Sequence, residues 1–261
     1  MKTPLVSVVI PAFNEASLVA RCVDETVATL DGLGFRHEVI VVDDGSDDGT
    51  ADLARAVADG YPNVRVVGHE VNRGKGSALI RGAGAAVGDL VLFMDADLEV
   101  HPRQLRLLWR TMEETGADVV IGSKLHPESK IDYPTDRRVL SYGYYWLVRA
   151  LFRLPVHDTQ TGLKLYRRAV LSRVLPRLVI KRYAHDLEVL VNVHRLGYTI
   201  AEAPVVVTRV RPFPRVGVRD AWHVAWDTAA IFYRTYILRY YDRVGVEADA
   251  RAAERTWDVE A

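Results

Sequence analysis

One acidic stretch of the sequence has residue types and spacing suited to binding a metal ion. The apolar run Leu90–Met94 leads directly into Asp95, Ala96 and Asp97, and Glu99 follows two residues later. Small hard cations such as Mg²⁺ and Mn²⁺ prefer few protein carboxylates together with phosphate oxygens. This spacing could supply one or two such ligands, and the alternative is a solvated acidic turn. A buried strand before the acidic residues favours the metal site.

A second acidic loop follows the apolar run Glu38–Val42. It begins with Asp43 and Asp44, contains two glycines, and ends where a helical pattern starts at Thr50. Aspartates in this position can accept hydrogen bonds from a base or a ribose, and glycines allow the backbone to approach a ligand. Capping of the following helix by Asp48 or Thr50 is the alternative.

Two more polar stretches stand where an apolar run gives way to a helical pattern. Pro11–Glu15 follows the first apolar run, and Glu15 could contact a nucleotide or simply favour the first helical turn. Asn72–Gly76 offers cations, including Lys75, and free amides to a phosphate. Its glycine spacing, and the glycine after Lys75, exclude an ATP-binding P-loop.

These stretches sit within an alternation of short β-branched runs and longer helical patterns. Such alternation predicts βαβ units, a mostly parallel sheet and an α/β fold with one catalytic domain. In open sheets of this kind, ligands bind beyond the carboxyl ends of the strands. The predicted strands are Leu5–Ile10, Glu38–Val42, Val64–Val67, Leu90–Met94 and Asp118–Ile121. The predicted helices are Glu15–Leu30, Thr50–Ala58, Lys75–Val87 and Pro102–Thr115.

Composition excludes several classes of protein. The 261 residues include 34 Lys plus Arg and 34 Asp plus Glu, so no global charge favours a nucleic-acid partner. With Cys22 as the only cysteine, neither a disulfide framework nor a cysteine zinc site can form within one chain. No apolar stretch is long enough to span a bilayer and the N-terminus does not resemble a signal peptide. We therefore expect a cytoplasmic protein.

The order and spacing of these motifs resemble family 2 glycosyltransferases. The resemblance rests on Pro11–Glu15, Asp43–Thr50, Asn72–Gly76 and Asp95–Asp97. Asp158–Tyr166 and Tyr183–Glu188 extend it toward the polyprenyl-phosphate sugar synthases, such as dolichyl-phosphate glucosyl- and mannosyltransferases. It covers about residues 5–210.

The resemblance implies a GT-A (Rossmann-like) fold and a nucleotide-sugar donor. It also implies a divalent metal, Mg²⁺ or Mn²⁺, held at Asp97 with Glu99 nearby, where mannosyl members often have glutamine. The donor would be a UDP-glucose or GDP-mannose type of nucleotide sugar. The donor-binding candidates are Pro11, Phe13, Glu15, Asp43, Asp44, Asn72, Lys75, Asp95 and Ala96.

A polyprenyl phosphate acceptor needs cations for its phosphate and an apolar surface for its tail. Basic residues precede an aromatic helical pattern from about Arg137 to Phe152, which suggests a helix at the membrane interface, the alternative being an ordinary buried helix. The acceptor-binding candidates are Lys124, Arg137, Arg138, Ser141 and Gln160.

The implied reaction is attack by an acceptor phosphate oxygen on the anomeric carbon of the hexose, with inversion there. Besides Asp97, the catalytic candidates are Asp186, Arg209 and Arg211. The arginines could neutralise the leaving group, or could belong to a solvated basic loop. Asp186 could act as a base if the acceptor were a hydroxyl, and would otherwise position groups.

The sequence divides into a catalytic domain at 1–212, an amphipathic helical extension at 213–245 and a tail at 246–261 that we expect to be disordered. The aromatic and basic residues of the extension could contact a membrane, the domain, or a second protein or copy. We expect peripheral association with the cytoplasmic face of a membrane, where a membrane-protein partner or a homo-oligomer is possible. The rival interpretations are transfer to a hydroxyl acceptor and a catalytically inactive nucleotide-sugar-binding scaffold. Nucleotidyl transfer is disfavoured, because it requires a glycine-rich basic loop after the first strand.

Overall fold

The structure is a computed structural model that describes residues 3–131, 135–180, 184–208 and 218–244. Its first half alternates strands and helices: β1 Leu5–Ala12, α1 Val19–Leu33, β2 Arg36–Asp44, α2 Thr50–Ala58, β3 Val64–His69, α3 Lys75–Ala85, β4 Leu90–Phe93, a 3-10 turn Pro102–Gln104, α4 Leu105–Thr115 and β5 Val119–Ser123. The second half contains β6 Lys130–Ile131, α5 Thr135–Phe152, β7 Lys164–Arg167, α6 Arg168–Val174, a 3-10 turn Leu175–Arg177, α7 His185–Arg195, β8 Ile200–Pro204, β9 Val206–Val207, α8 Val218–Phe232 and a π-helical turn Tyr233–Ile237.

Seven strands form one sheet in the order β3-β2-β1-β4-β7-β5-β8. All neighbouring pairs are parallel except those of β7, which is antiparallel to both β4 and β5. Strands β6 and β9 form a separate parallel pair. The predicted α/β fold with a mostly parallel sheet is therefore confirmed.

The sheet is buried on both faces, as its nearly continuous apolar strands require. In β1, Val8 and Ile10 point into one core, whereas Val9 points into the other. Helices α1 and α4 cover the first face, and α3, α6 and α7 cover the second. The carboxyl ends of β1, β2 and β4 consequently open at one edge, between these two layers.

Several predicted boundaries differ from those of the structure. Helix α1 starts at Val19 rather than at Glu15, because the Glu15 carbonyl accepts bonds from the amides of Leu18 and Val19 in a tight turn. Helix α2 spans the predicted residues. The sequence pattern did not predict strands β7 and β8. Strand β7 has only four residues and includes Lys164 and Arg167, so it lacks a strand-like apolar pattern.

The C-terminal segment packs on the core of the sheet domain. Helix α8 lies against α5, and the side chain of Ile231 is fully buried in the core that α3 and α7 share. Packing on the domain, one of the three alternatives for this segment, is therefore observed. The boundary at 212 stays a prediction, because residues 209–217 lie outside the described part of the chain. Among the described helices, none combines the length and apolar character needed to cross a bilayer.

Candidate active site

A cavity of about 300 Å³ opens where β1, β2 and β4 end. It is lined by Pro11, Ala12, Phe13, Glu15, Asp44, Asn72, Lys75, Ala78, Asp95, Ala96 and Asp97. Eight of the nine predicted donor-binding residues are among them. The ninth, Asp43, is at the end of β2 and is 7% exposed. The sheet edge thus brings together residues that are far apart in sequence. We call this space the donor cavity.

The loops after β1 and β2 are bonded to each other. The amide of Glu15 donates to Thr50 Oγ1 over 2.8 Å, and the amide of Asn14 donates to Ser46 Oγ over 3.0 Å. Asp48 accepts from the amides of Ala16 and Thr50, and its pKa is lowered chiefly by the hydroxyl of Thr50. Asp48 therefore joins the two loops and bonds the first residue of α2, whereas the N-cap position of that helix is Gly49 and carries no side-chain capping bond, so the capping alternative for Asp48 and Thr50 is wrong.

Asp43 and Asp44 are adjacent but have different surroundings. Asp44 Oδ2 accepts from the amide of Gly74 over 2.7 Å, while Oδ1 lies 2.7 Å from His69 Nδ1 and accepts from the amide of Arg73. Asp44 therefore holds the loop that opens α3. The Oδ1 atom of Asp43 is buried and has no hydrogen-bond partner among the described residues. A buried acceptor of this kind fits a donor group of a bound base or ribose.

Lys75 forms an ion pair with Asp95, 2.5 Å from Nζ to Oδ1. Desolvation opposes the charge of Lys75, but Asp95, Asp186 and Asp97 together raise its pKa, so the ammonium stays charged. Desolvation and the neighbouring Asp95 raise the pKa of Asp97. The amide of Glu99 donates to Asp97 Oδ1 over 3.0 Å, which fixes the orientation of that carboxylate.

Asp97 and Glu99 could hold a cation only with further ligands. They line a small cavity together with Asp95 and Lys124. Within the described ranges, no three Asp, Glu, His or Cys side chains converge as a metal cluster. Because Mg²⁺ and Mn²⁺ accept phosphate oxygens beside one or two carboxylates, the residues fit a cation that arrives with a diphosphate. The excess negative charge at Asp97 fits the same cation.

The loop before β7 reaches the acidic site, a contact that was not predicted. A Cβ atom added to Gly162 would lie 1.9 Å from Asp95 Oδ2, so a side chain here would require the Asp95 carboxylate to move. Asp158 organises this loop by accepting from the amides of Lys124 and Gln160 and from the hydroxyl of Thr161. The Asp158–Tyr166 stretch therefore contributes to the site through its backbone as well as through its side chains.

Asp186 is paired with a fully buried lysine. Lys164 Nζ lies 2.5 Å from Asp186 Oδ1 and also donates to the carbonyl of Thr161. Burial alone would raise the pKa of Asp186, but Lys164, Lys75 and His185 outweigh burial and lower it. A carboxylate held in its ionised form by an ammonium is a poor proton acceptor. The pair favours a positioning role for Asp186 over that of a general base.

His185 lies beneath the start of α3. Its Nδ1 atom is 3.1 Å from the carbonyl of Ile180, and its ring is so close to Gly76 that an added Cβ there would be 2.5 Å from Cγ. Burial lowers its pKa, so the ring is neutral near pH 7. Sequence reasoning assigned no role to Lys164 or His185, although both lie in the stretches that carry the resemblance.

A larger cavity of about 520 Å³ lies between α5, α8 and the loops around residues 124–131 and 156–160. Its apolar wall includes Tyr142, Tyr145 and Val224. The lining also includes three of the predicted acceptor-binding residues: Lys124, Ser141 and Gln160. We call this space the aromatic cavity. Lys124 also lines the small cavity that contains Asp97 and Glu99, so the two spaces adjoin.

The side chains of four predicted site residues lie outside the described part of the structure. Arg137 and Arg138 fall in the first turns of α5, where the backbone alone is described. Arg209 and Arg211 lie outside the described residues. The roles assigned to these four residues stay predictions.

Known proteins share this arrangement of strands and motifs. Residues 7–175 match the family described as glycosyl transferase family 2. The chain belongs to this family. Among the family members that resemble it are two dolichyl-phosphate beta-glucosyltransferases. The one from Trichomonas vaginalis is 34% identical over 211 residues, covering 76% of this chain and 64% of that protein. The one from Dictyostelium discoideum is 32% identical over 217 residues, covering 78% and 66%. The chain thus spans about two thirds of the length of these relatives.

A solved glycosyl-phosphoglycerate synthase structure has the same fold. It is glucosyl-3-phosphoglycerate synthase from Mycobacterium tuberculosis, in complex with Mn²⁺, uridine diphosphate and glucosyl-3-phosphoglycerate. The two chains are 26% identical with a TM-score of 0.68, and the match covers 88% of this chain and 79% of that one. The expected GT-A fold is thereby confirmed.

Proposed function

We propose that the chain is an inverting, metal-dependent glycosyltransferase that moves glucose from UDP-glucose to a polyprenyl phosphate. The observation that carries the proposal is the position of Lys124, which lines both the aromatic cavity and the small cavity of Asp97 and Glu99. A cation at this junction suits a phosphate whose apolar tail lies among the aromatic residues. The names of the relatives, and the UDP bound in the solved structure, support the same donor and acceptor.

The donor end of the site is built to receive a diphosphate. Lys75 is held in its charged form near the acidic residues, and the N-terminus of α3 lies beside it, where backbone amides favour an anion. Asp97, with Glu99 nearby, would hold the divalent cation. When bound, that cation would supply charge neutralisation for the departing nucleoside diphosphate. Lys75 would orient the same diphosphate and share in that neutralisation.

The acceptor would attack the anomeric carbon with a phosphate oxygen. A new bond forms between that oxygen and the carbon while the bond from the carbon to the diphosphate breaks, so the carbon inverts. A phosphate monoester is already ionised near pH 7, and the step needs alignment more than it needs a base. The pairing of Asp186 with Lys164 supports a phosphate acceptor over a hydroxyl acceptor, which would need a free carboxylate.

We also propose that the protein works peripherally at the cytoplasmic face of a membrane. Trp222 and Trp226 stand one turn apart on α8 and are each 66% exposed. Trp146 on α5 is 62% exposed. Tryptophan at such exposure is typical of helices that lie at the headgroup level. Because α5 and α8 also border the aromatic cavity, an acceptor could enter this cavity from a bilayer.

The test is transfer of labelled sugar from UDP-glucose, with GDP-mannose and UDP-N-acetylglucosamine as comparison donors, to a short polyprenyl phosphate. Each reaction contains Mn²⁺, Mg²⁺ or a chelator. We expect label in the lipid phase from UDP-glucose, with loss of transfer in the chelator. Metal-dependent donor hydrolysis without lipid label would refute the polyprenyl phosphate acceptor, and label from GDP-mannose alone would refute the donor.

A further inference from the structure

A buried carboxylate lies one helical turn behind the candidate active site. Glu188 on α7 is fully buried, and its oxygens accept from the amide of Ile180 over 2.8 Å and from the amide of Val179 over 3.0 and 3.1 Å. The hydroxyl of Tyr241 donates to Glu188 Oε1 over 2.6 Å. Burial of a carboxylate is costly unless hydrogen bonds compensate for the lost water. Here the compensation comes from two separate parts of the chain.

The groups around Glu188 connect it to the site. Ile180, which Glu188 binds through its amide, accepts a bond at its carbonyl from the ring of His185 if Nδ1 carries the proton. His185 packs beneath Gly76 at the start of α3, and Asp186 pairs with Lys164. A shift of Glu188 would therefore also shift His185 and Asp186, which precede it by three and two residues at the start of α7.

Tyr241 reaches this site from the C-terminal segment, 53 residues further along the chain. It is 3% exposed and lies in the helical turn at 240–244. The next residue, Asp242, forms an ion pair of 2.6 Å with Arg195 at the other end of α7. Arg234 of the π-helical turn is close enough to act on both Glu188 and Tyr241 through its charge. The C-terminal segment therefore holds α7 at two points, one buried and one exposed.

We propose that Tyr241 is a positioning residue, which acts through Glu188 to hold the first turn of α7, and with it His185 and Asp186, in place for transfer. This proposal rests on the proposed function, because its test measures transfer from UDP-glucose. It gives the C-terminal segment a role in catalysis besides its exposed aromatic surface. The buried contact at Tyr241 should matter for turnover, whereas the exposed contact at Asp242 should not.

The test compares Tyr241→Phe, which removes one hydroxyl, with Asp242→Asn, which removes the exposed ion pair from the same turn. Both are assayed well below their melting temperatures. In Tyr241→Phe we expect kcat to fall about three- to ten-fold, because one hydrogen bond to a charged group is lost. The KM for UDP-glucose and the calorimetric stoichiometry of UDP binding should stay unchanged. In Asp242→Asn we expect wild-type kcat, since exposed pairs contribute little.

Two further measurements separate positioning from general stability. Hydrogen exchange should speed up at the amides of Val179 and Ile180 in Tyr241→Phe, while β1 and β4 keep their protection. The effects of Tyr241→Phe and Glu188→Asp on kcat should not add, because both act on one contact. If Tyr241→Phe failed to fold, Glu188→Asp alone would be required to lower kcat at full UDP stoichiometry.

The positioning role of Tyr241 and the proposed transferase function fail under different results. Wild-type kcat in Tyr241→Phe, or a loss of kcat that matches a loss of UDP-binding stoichiometry, would overturn the positioning role. Failure of the wild-type chain to label polyprenyl phosphate would instead overturn the proposed function. In that event the positioning role is tested on metal-dependent hydrolysis of UDP-glucose, with the same expected fall in kcat.

Discussion

At the scale of single residues, Asp97 carries a charge that the fold itself does little to stabilise. Desolvation, the largest cause, and Asp95 raise its pKa against the opposing effects of the Glu99 amide, Lys75 and Lys124. A group whose pKa is higher in the folded state stabilises the fold at low pH, and this contribution is lost as pH rises through the folded pKa. Near pH 7 the ionised Asp97 therefore costs stability, which a bound cation would offset.

The variant Asp97→Asn should therefore be inactive in transfer and more stable than the wild type. We expect transfer to fall by about a hundredfold or more, as when a group that stabilises the leaving charge is removed. The variant should melt above the wild type at neutral pH, and the difference should vanish below the ordinary carboxyl pKa of 3.8. Thermal unfolding at the two pH values and the transfer assay measure these effects.

The matched control is Asp52→Asn, because Asp52 is an exposed carboxylate on α2 that pairs with the neighbouring Arg55. We expect neither its melting temperature nor its turnover to change appreciably. Mn²⁺ with UDP-glucose should raise the melting temperature of the wild type and of this control but not that of Asp97→Asn. An Asp97→Asn variant that melts below the wild type at neutral pH would contradict the account of its charge.

At the scale of elements, strand β7 is what completes the site. It lies antiparallel between β4 and β5, so the loop before it passes over Asp95 and its first residue, Lys164, meets Asp186. A Cβ atom added at Gly162 in this loop would lie 1.9 Å from Asp95 Oδ2. A side chain at this position would therefore force the Asp95 carboxylate or the loop to move.

We expect Gly162→Ala to displace Asp95 or the loop. Overpacking of this kind costs about 1–3 kcal/mol, and we expect a loss of about tenfold in kcat/KM together with a lower melting temperature. The control is Gly84→Ala on α3, where an added Cβ has open space around it and should, if anything, stabilise the helix. Equal activity of the two variants would show that the loop does not need its close contact with Asp95.

At the scale of the whole molecule, two helices join the catalytic core to an exposed aromatic surface. Helix α5 and helix α8 border the aromatic cavity on their inner sides, and both present tryptophan outward. The same two helices therefore form one wall of the apolar cavity and an exposed aromatic surface that could lie on a membrane.

The double variant Trp222→Ser, Trp226→Ser should bind vesicles of phosphatidylcholine and phosphatidylglycerol about tenfold more weakly or worse, because two apolar side chains leave the interface. Transfer to a short, detergent-soluble polyprenyl phosphate should stay near the wild-type rate. Sedimentation with vesicles measures the first effect, and Leu53→Ser, at an exposed apolar residue of α2, is the control. Unchanged sedimentation of the double variant would remove α8 from the membrane surface.

The sequence by itself determined the class of fold and most of the donor cavity. Residues 5–94 already contain four strand patterns with helical patterns between them, and parallel strands place their carboxyl ends at one edge. The residues at the carboxyl ends of β1, β2 and β4 had to meet there, as Pro11, Asp44 and Asp95 do. These expectations depend on local periodicity and on the rules of parallel sheets, both of which can be read from a single chain.

The tertiary structure alone decided which polar groups are left for a ligand. Asp43 and Asp44 are neighbouring aspartates in the sequence, yet Asp44 is bonded to the loop before α3. Asp43 has a buried oxygen that no group in the described part of the chain reaches with a hydrogen bond. Likewise, no local pattern shows that Lys164 meets Asp186 or that Tyr241 meets Glu188. Such pairs depend on which surfaces pack together over long separations in sequence. That choice is made by the whole core rather than by any one segment.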